Sequence, residues 1–69
     1  MDLTGKEIVI RSLSVNNFAG TSVVDVDLLT EAADGIYTSA PYRLTHSQAF
    51  DNMEDSALLT FVTSKLEGL

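Results

Sequence analysis

Two carboxylates stand two residues apart at Asp25 and Asp27, separated by Val26. On an extended chain this spacing puts both on one face, about 7 Å apart. Such a pair can hold a hard divalent cation through oxygen ligands, or divide acid and base roles between its members. A calcium loop needs further oxygen ligands and a glycine at a set spacing, and neither surrounds these two. The plainer expectation is a solvated strand face whose acids pair across strands with Arg11 or Arg43.

The one histidine, His46, has Ser47 and Asp51 close by in sequence. A nucleophilic triad is a spatial arrangement that also needs an oxyanion hole, and no nucleophile-elbow motif is present. His46 is therefore expected on the surface or at a helix start. Thr4-Gly5-Lys6 ends like a phosphate loop, but three preceding residues cannot supply the upstream glycine of that motif. The chain contains no cysteine. That rules out a disulfide framework and a cysteine zinc site, and fits a reducing, cytoplasmic setting. No catalytic residue, cofactor site or metal site is expected, and the chain reads as non-enzymatic.

Three aromatics have open roles. Phe18 lies in the polar stretch Asn16–Gly20, where it is expected to fold back over the end of the core or to anchor a partner in a pocket. Tyr37 and Tyr42 divide between core packing and interface contact. The acids cluster unevenly. Asp25, Asp27, Glu31 and Asp34 fall in one group, and Asp51, Glu54 and Asp55 in another. If the groups meet in space they form an acidic surface suited to Lys and Arg on another protein. Ten acids against four bases give a formal charge of −6. This disfavours direct binding to nucleic-acid phosphates or anionic membranes.

The expected function is a small acidic protein-binding module, inhibitor- or adaptor-like, that engages a basic surface of a partner protein. The partner-binding residues are Asp25, Asp27, Glu31, Asp34, Glu54 and Asp55, with Phe18 or Tyr37 as the apolar anchor. Carboxylates can stand where phosphates would, as in a nucleic-acid mimic. Small acidic domains of this kind are common among phage host-interaction and virion proteins, an association of size and charge only. The alternative is a structural subunit of a larger homo-oligomeric or virion-like assembly. Self-association or a tight partner is expected in either case, because a core this small leaves only a few kcal/mol of net stability.

With 69 residues the chain forms one small domain, 1–69. No apolar stretch resembles a signal peptide or approaches a membrane span. Gly5, Gly20 and Gly35 divide it into a strand-turn-strand-turn-strand pattern, after a polar lead that should fray. The first strand, 7–15, changes phase. Ile8 and Ile10 share one face, Leu13 and Val15 the other, and a bulge at Arg11-Ser12 would bring both pairs to one core. The second, 22–30, alternates Val24, Val26 and Leu28 with the two aspartates. Asp34-Gly35 then signals a hairpin. The third, 36–45, contains Pro41, which demands an edge strand or a break. A competing helix over 27–37 fits the spacing of Leu28, Leu29, Ala32, Ala33, Ile36 and Tyr37. Thr45–Gln48 suggests a short helical turn.

A helix over about 52–67 closes the chain. Asp51 is expected as its N-cap, with Glu54 completing a capping box. Glu54 and Asp55 fall in its first turn and Gly68 at its stop. Its apolar side carries Leu58, Leu59, Val62, Leu66 and Leu69, with Phe61 flanking. Leu59–Thr63 also reads as a last strand, being rich in β-formers. The expected fold is α+β: a three-stranded antiparallel β-meander with one C-terminal α-helix packed on one face.

Overall fold

The computed structural model describes every residue, Met1–Leu69. Three strands, β1 (Lys6–Asn16), β2 (Thr21–Glu31) and β3 (Tyr37–His46), precede one helix, α1 (Ser56–Glu67). The sheet is antiparallel in the order β1-β2-β3. This is the expected meander, because short connections leave consecutive strands side by side.

β2 is the central strand, and its alternation defines the two faces. Ser22, Val24, Val26 and Leu28 are buried, while Val23, Asp25, Asp27 and Leu29 point to the other side. β1 meets this pattern through an irregularity. Ile10 pairs with Val26 but Ser12 pairs with Asp25, leaving Arg11 as the extra residue. Ile8, Ile10, Leu13 and Val15 consequently lie opposite Leu28, Val26, Val24 and Ser22, all on the inner face. A regular strand would have turned one of these apolar pairs to solvent.

The two hairpin turns are held locally. Gly20 and Gly35 take positive φ values of 69° and 83°, which L-residues rarely adopt. The Asn16 side chain accepts from the Ala19 N–H at 3.0 Å, and the Asp34 side chain from the Ile36 N–H at 3.1 Å. Asp34-Gly35 thus closes the β2–β3 hairpin, and the competing helix over 27–37 does not form. Pro41 sits within β3 opposite Asp27 without breaking it. It can do so because β3 is an edge strand, where a missing N–H is tolerated.

The helix places Leu58, Val62 and Leu66 against Val24, Val26, Leu28, Leu44 and Phe50. These helix residues recur every four positions and form one narrow stripe. Full burial of each such side chain contributes about 1.5–3 kcal/mol, an upper bound for a small chain. Leu59 and Leu69, expected on the same stripe, are instead exposed at 45% and 62%. Leu59 is one residue round from Leu58, about 100° away, and Leu69 follows the C-cap Gly68.

The helix begins four residues later than expected. Its N-cap is Asp55, which accepts from the Ala57 N–H at 2.9 Å, so Asp51 and Glu54 form no capping box. The reason is local competition. Asn52 Oδ1 accepts from the Glu54 N–H at 2.8 Å and holds residues 52–54 in a turn. Glu54 and Asp55 accordingly precede the first turn of α1. No helical turn forms at Thr45–Gln48, because β3 continues through His46. The lead is anchored too. Met1 and Leu3 pack on the core, and the Met1 amine donates to the carbonyls of Glu67 and Leu69 at 2.5 and 2.7 Å.

Ser22 explains how the link from sheet to helix is fixed. It is the single buried polar residue. Its hydroxyl donates to the Gln48 carbonyl at 2.7 Å and accepts from the Phe50 N–H at 3.1 Å. That hydroxyl satisfies two backbone groups of a non-regular segment and seats the buried Phe50. Ser22→Ala removes both bonds at once and leaves a buried N–H unmet. The expected loss is about 1–3 kcal/mol in urea unfolding with an unchanged m-value.

Candidate interaction surface

With α1 on the inner face, the outer face of the sheet is open. Asp25 lies there directly between Ser12 and Arg43 in register. Its carboxylate accepts from the Ser12 hydroxyl at 2.9 Å and from Arg43 Nε at 2.9 Å. Asp27, one row along, accepts from the Arg11 guanidinium at 3.1 Å. The bulge matters here as well, since the extra residue it inserts is the arginine that reaches Asp27.

The bonds to Asp25 shift its titration. The Arg43 hydrogen bond, followed by that from Ser12, holds the Asp25 carboxyl below its ordinary value, and Asp25 in turn raises the Arg43 guanidinium. Hydrogen bonds to Thr4 lower Asp2 in the same way. By geometry, each of the two β2 aspartates has an arginine partner within the sheet. No group of three or more metal-ligating side chains occurs in the chain.

The remaining expected residues are dispersed. Glu31 and Tyr37 are paired in register at the β2–β3 end, with the tyrosine hydroxyl 3.4 Å from the carboxylate. Asp34 is in the adjoining turn, where it serves the Ile36 N–H. Glu54 and Asp55 lie at the start of α1, on the side of the sheet opposite Asp25 and Asp27. The two acidic groups thus do not merge into one surface through Asp25 and Asp27. Phe18 does not fold back over the core. It is fully exposed at the β1–β2 turn, at 103%, because the Asn16 cap and the Gly20 N–H bond to the Asn16 carbonyl leave the turn no freedom to bend inward. Tyr37 is also exposed, whereas Tyr42 packs partly on the core.

Sequence reasoning missed a second feature. His46 is half-buried rather than at the surface. Its ring lies 4.2 Å from that of Phe61, edge to face, and 5.5 Å from that of Phe50. The three line a groove of 840 Å³ along one flank of α1, with Lys65 and Leu69 toward its far end. His46 Nδ1 is buried without a hydrogen-bond partner, and neither Ser47 nor Asp51 approaches it. His46 ends β3, Phe50 lies in the connection and Phe61 in α1, so no single element's periodicity announced this cluster. Ser22 did leave a trace, as a polar residue that, like Thr30, is in phase with Val24, Val26 and Leu28.

Comparison with family models, with curated proteins and with solved structures found no match. No helix is long and apolar enough to cross a membrane.

The lowered Asp25 carboxyl has a directional consequence. A carboxyl whose folded value is depressed contributes stability above its unfolded value of 3.8 and loses it as pH falls through the lower folded value. Asp25→Asn should therefore unfold less steeply than the native chain between neutral pH and about pH 2, in urea midpoints taken across that range. Parallel acid profiles for the two proteins would refute the assignment.

Proposed function

We propose that the chain is a non-enzymatic protein-binding module. The observation that carries this reading is the fully exposed Phe18 on a turn held by its own hydrogen bonds. An aromatic kept in water on a rigid turn has already met its ordering cost, which favours use as an anchor in a partner's pocket. The acids outside ion pairs, among them Glu31, Asp34, Glu54 and Asp55, give the chain a negative field that steers it toward a basic partner. Asp25 and Asp27 contribute little to that field beyond the sheet, since Arg43 and Arg11 neutralise them locally.

Enzyme chemistry would need convergent groups tuned within a sheltered pocket. His46 Nδ1 stands without a polar partner, and the β2 aspartates on the outer face are paired with arginines. A second reading, that of a structural subunit, is favoured by the two open edges of the sheet. β1 and β3 each present a full strand of 11 and 10 residues for pairing with another chain.

The test is capture of the partner from the source cell by cross-linking, followed by affinity measurement with purified components. Phe18→Ser should weaken binding by about 30-fold, a hot-spot loss near 2 kcal/mol, while leaving the melting temperature unchanged. Unchanged affinity in the folded variant contradicts the anchor, and loss of assembly on edge-strand substitutions alone moves the subunit reading ahead.

A further inference from the structure

One end of the molecule carries an exposed aromatic anchor and, beside it, an open aromatic groove. Phe18 stands fully exposed at the β1–β2 turn. The register pair of Ser22 and His46 lies just inside that turn, next to the pair of Asn16 and Thr21. Ser22 in turn holds Gln48 and Phe50 through its hydroxyl. His46, Gln48 and Phe50 all line the groove beside α1. Anchor and groove therefore share one end of the fold, yet Phe18 stays in water and does not fill the groove of its own chain.

Charge marks these two features as places where copies of the chain can approach. The net charge is −6, so most surfaces of one copy repel those of another. The turn residues Asn16–Gly20 include no charged side chain. The groove is lined by no aspartate or glutamate, and its one charged side chain is Lys65. The other exposed aromatic ring, that of Tyr37, differs in this respect. Its hydroxyl lies 3.4 Å from the Glu31 carboxylate, and Asp34 occupies the adjoining turn. Phe18 is thus the aromatic that meets a second copy without an acid beside it.

The groove also has the chemistry and the room for a phenyl ring. Its three rings pack tilted or edge to face, with centroids 4.2 to 5.9 Å apart. His46 and Phe61 are only half-buried, so both leave ring surface along the groove. An added ring is favoured in offset or edge-to-face contact with such neighbours, at centroid separations of about 4.5–7 Å. The groove volume of 840 Å³ accepts that ring together with the flanking Asn17 and Ala19. One such ring buries about 150–250 Å². Two rings and the walls they cover stay below about 1,200 Å², the class of weak, reversible pairs.

We propose that Phe18 of one copy enters the His46–Phe50–Phe61 groove of a second copy, and the second copy's Phe18 enters the groove of the first, in a weak two-fold dimer. The proposal rests on the reading of Phe18 as an anchor and names the pocket it fills. Because anchor and groove share one end of the fold, a single two-fold axis serves both contacts, and each substitution acts twice.

Sedimentation equilibrium of the purified chain, up to about 1 mM, tests it. An isotope-filtered NOE spectrum of mixed labelled and unlabelled chains accompanies it. The native chain should dimerise, with intermolecular contacts from the Phe18 ring to the rings of His46 and Phe61. Phe18→Ser should raise the dissociation constant at least about 30-fold. Thr60→Arg and Ser64→Arg, at exposed helix positions on the groove wall, should each obstruct the groove and weaken the dimer to a similar degree. Leu59→Arg adds the same charge outside the groove and should leave the dimer intact. Circular dichroism confirms the fold of each variant. A native chain that stays monomeric overturns the proposal, and so does a dimer that survives Phe18→Ser or both groove variants. Neither a monomeric native chain nor insensitivity to the groove variants touches the Phe18→Ser measurement on a captured partner, so this proposal and the anchor reading fail separately.

Discussion

One unpaired residue in β1 decides which way the sheet faces. Arg11 has no partner on β2, and the register moves by one across it. Before it, Ile8 and Ile10 point inward. After it, Leu13 and Val15 do the same. The inner face thus gains four apolar residues from β1, and the central strand lies between them and the Tyr42-Leu44 pair of β3. Nothing else in a chain of this size could compensate, since each lost apolar side chain forfeits a large fraction of a net stability of a few kcal/mol.

The same residue shapes the opposite face. Its guanidinium is the partner of Asp27, and the register step it creates places Ser12 beside Asp25. The carboxylates that looked like a reactive pair become members of two neutral ladders. A chain with a large negative excess then has both outer-face aspartates of β2 matched by arginines, one aromatic held in water at a turn, and a helix that covers the inner face of the sheet.

Much of this was legible in the residues. The alternation of Val24, Val26 and Leu28 with aspartates, the phase change at Arg11-Ser12, and Asp34-Gly35 each have one local cause and one structural consequence. The pairing of Asp25 and Asp27 with arginines was legible too, because register follows from turn position. What was illegible depended on competition between nearby groups or on distant residues meeting. The helix start moved from Asp51 to Asp55 because the Asn52 side chain captured a backbone N–H first. Leu59 matched the apolar spacing yet faces water, since a single sheet presents a surface only wide enough for one stripe. Phe18 and His46 exchanged their expected environments. The turn holds the first outward, and Phe50 and Phe61, far apart in sequence, enclose the second.

The most direct test is removal of the inserted residue. A chain lacking Arg11 must either keep a regular β1 with one apolar pair turned to water or lose pairing along half the strand. Urea unfolding of this deletion is compared with that of Arg11→Ala, which keeps the bulge and sacrifices only an exposed ion pair. The account predicts that Arg11→Ala unfolds cooperatively within about 1 kcal/mol of the native chain, whereas the deletion shows no cooperative transition. A deletion variant that unfolds with the native midpoint and slope would contradict it.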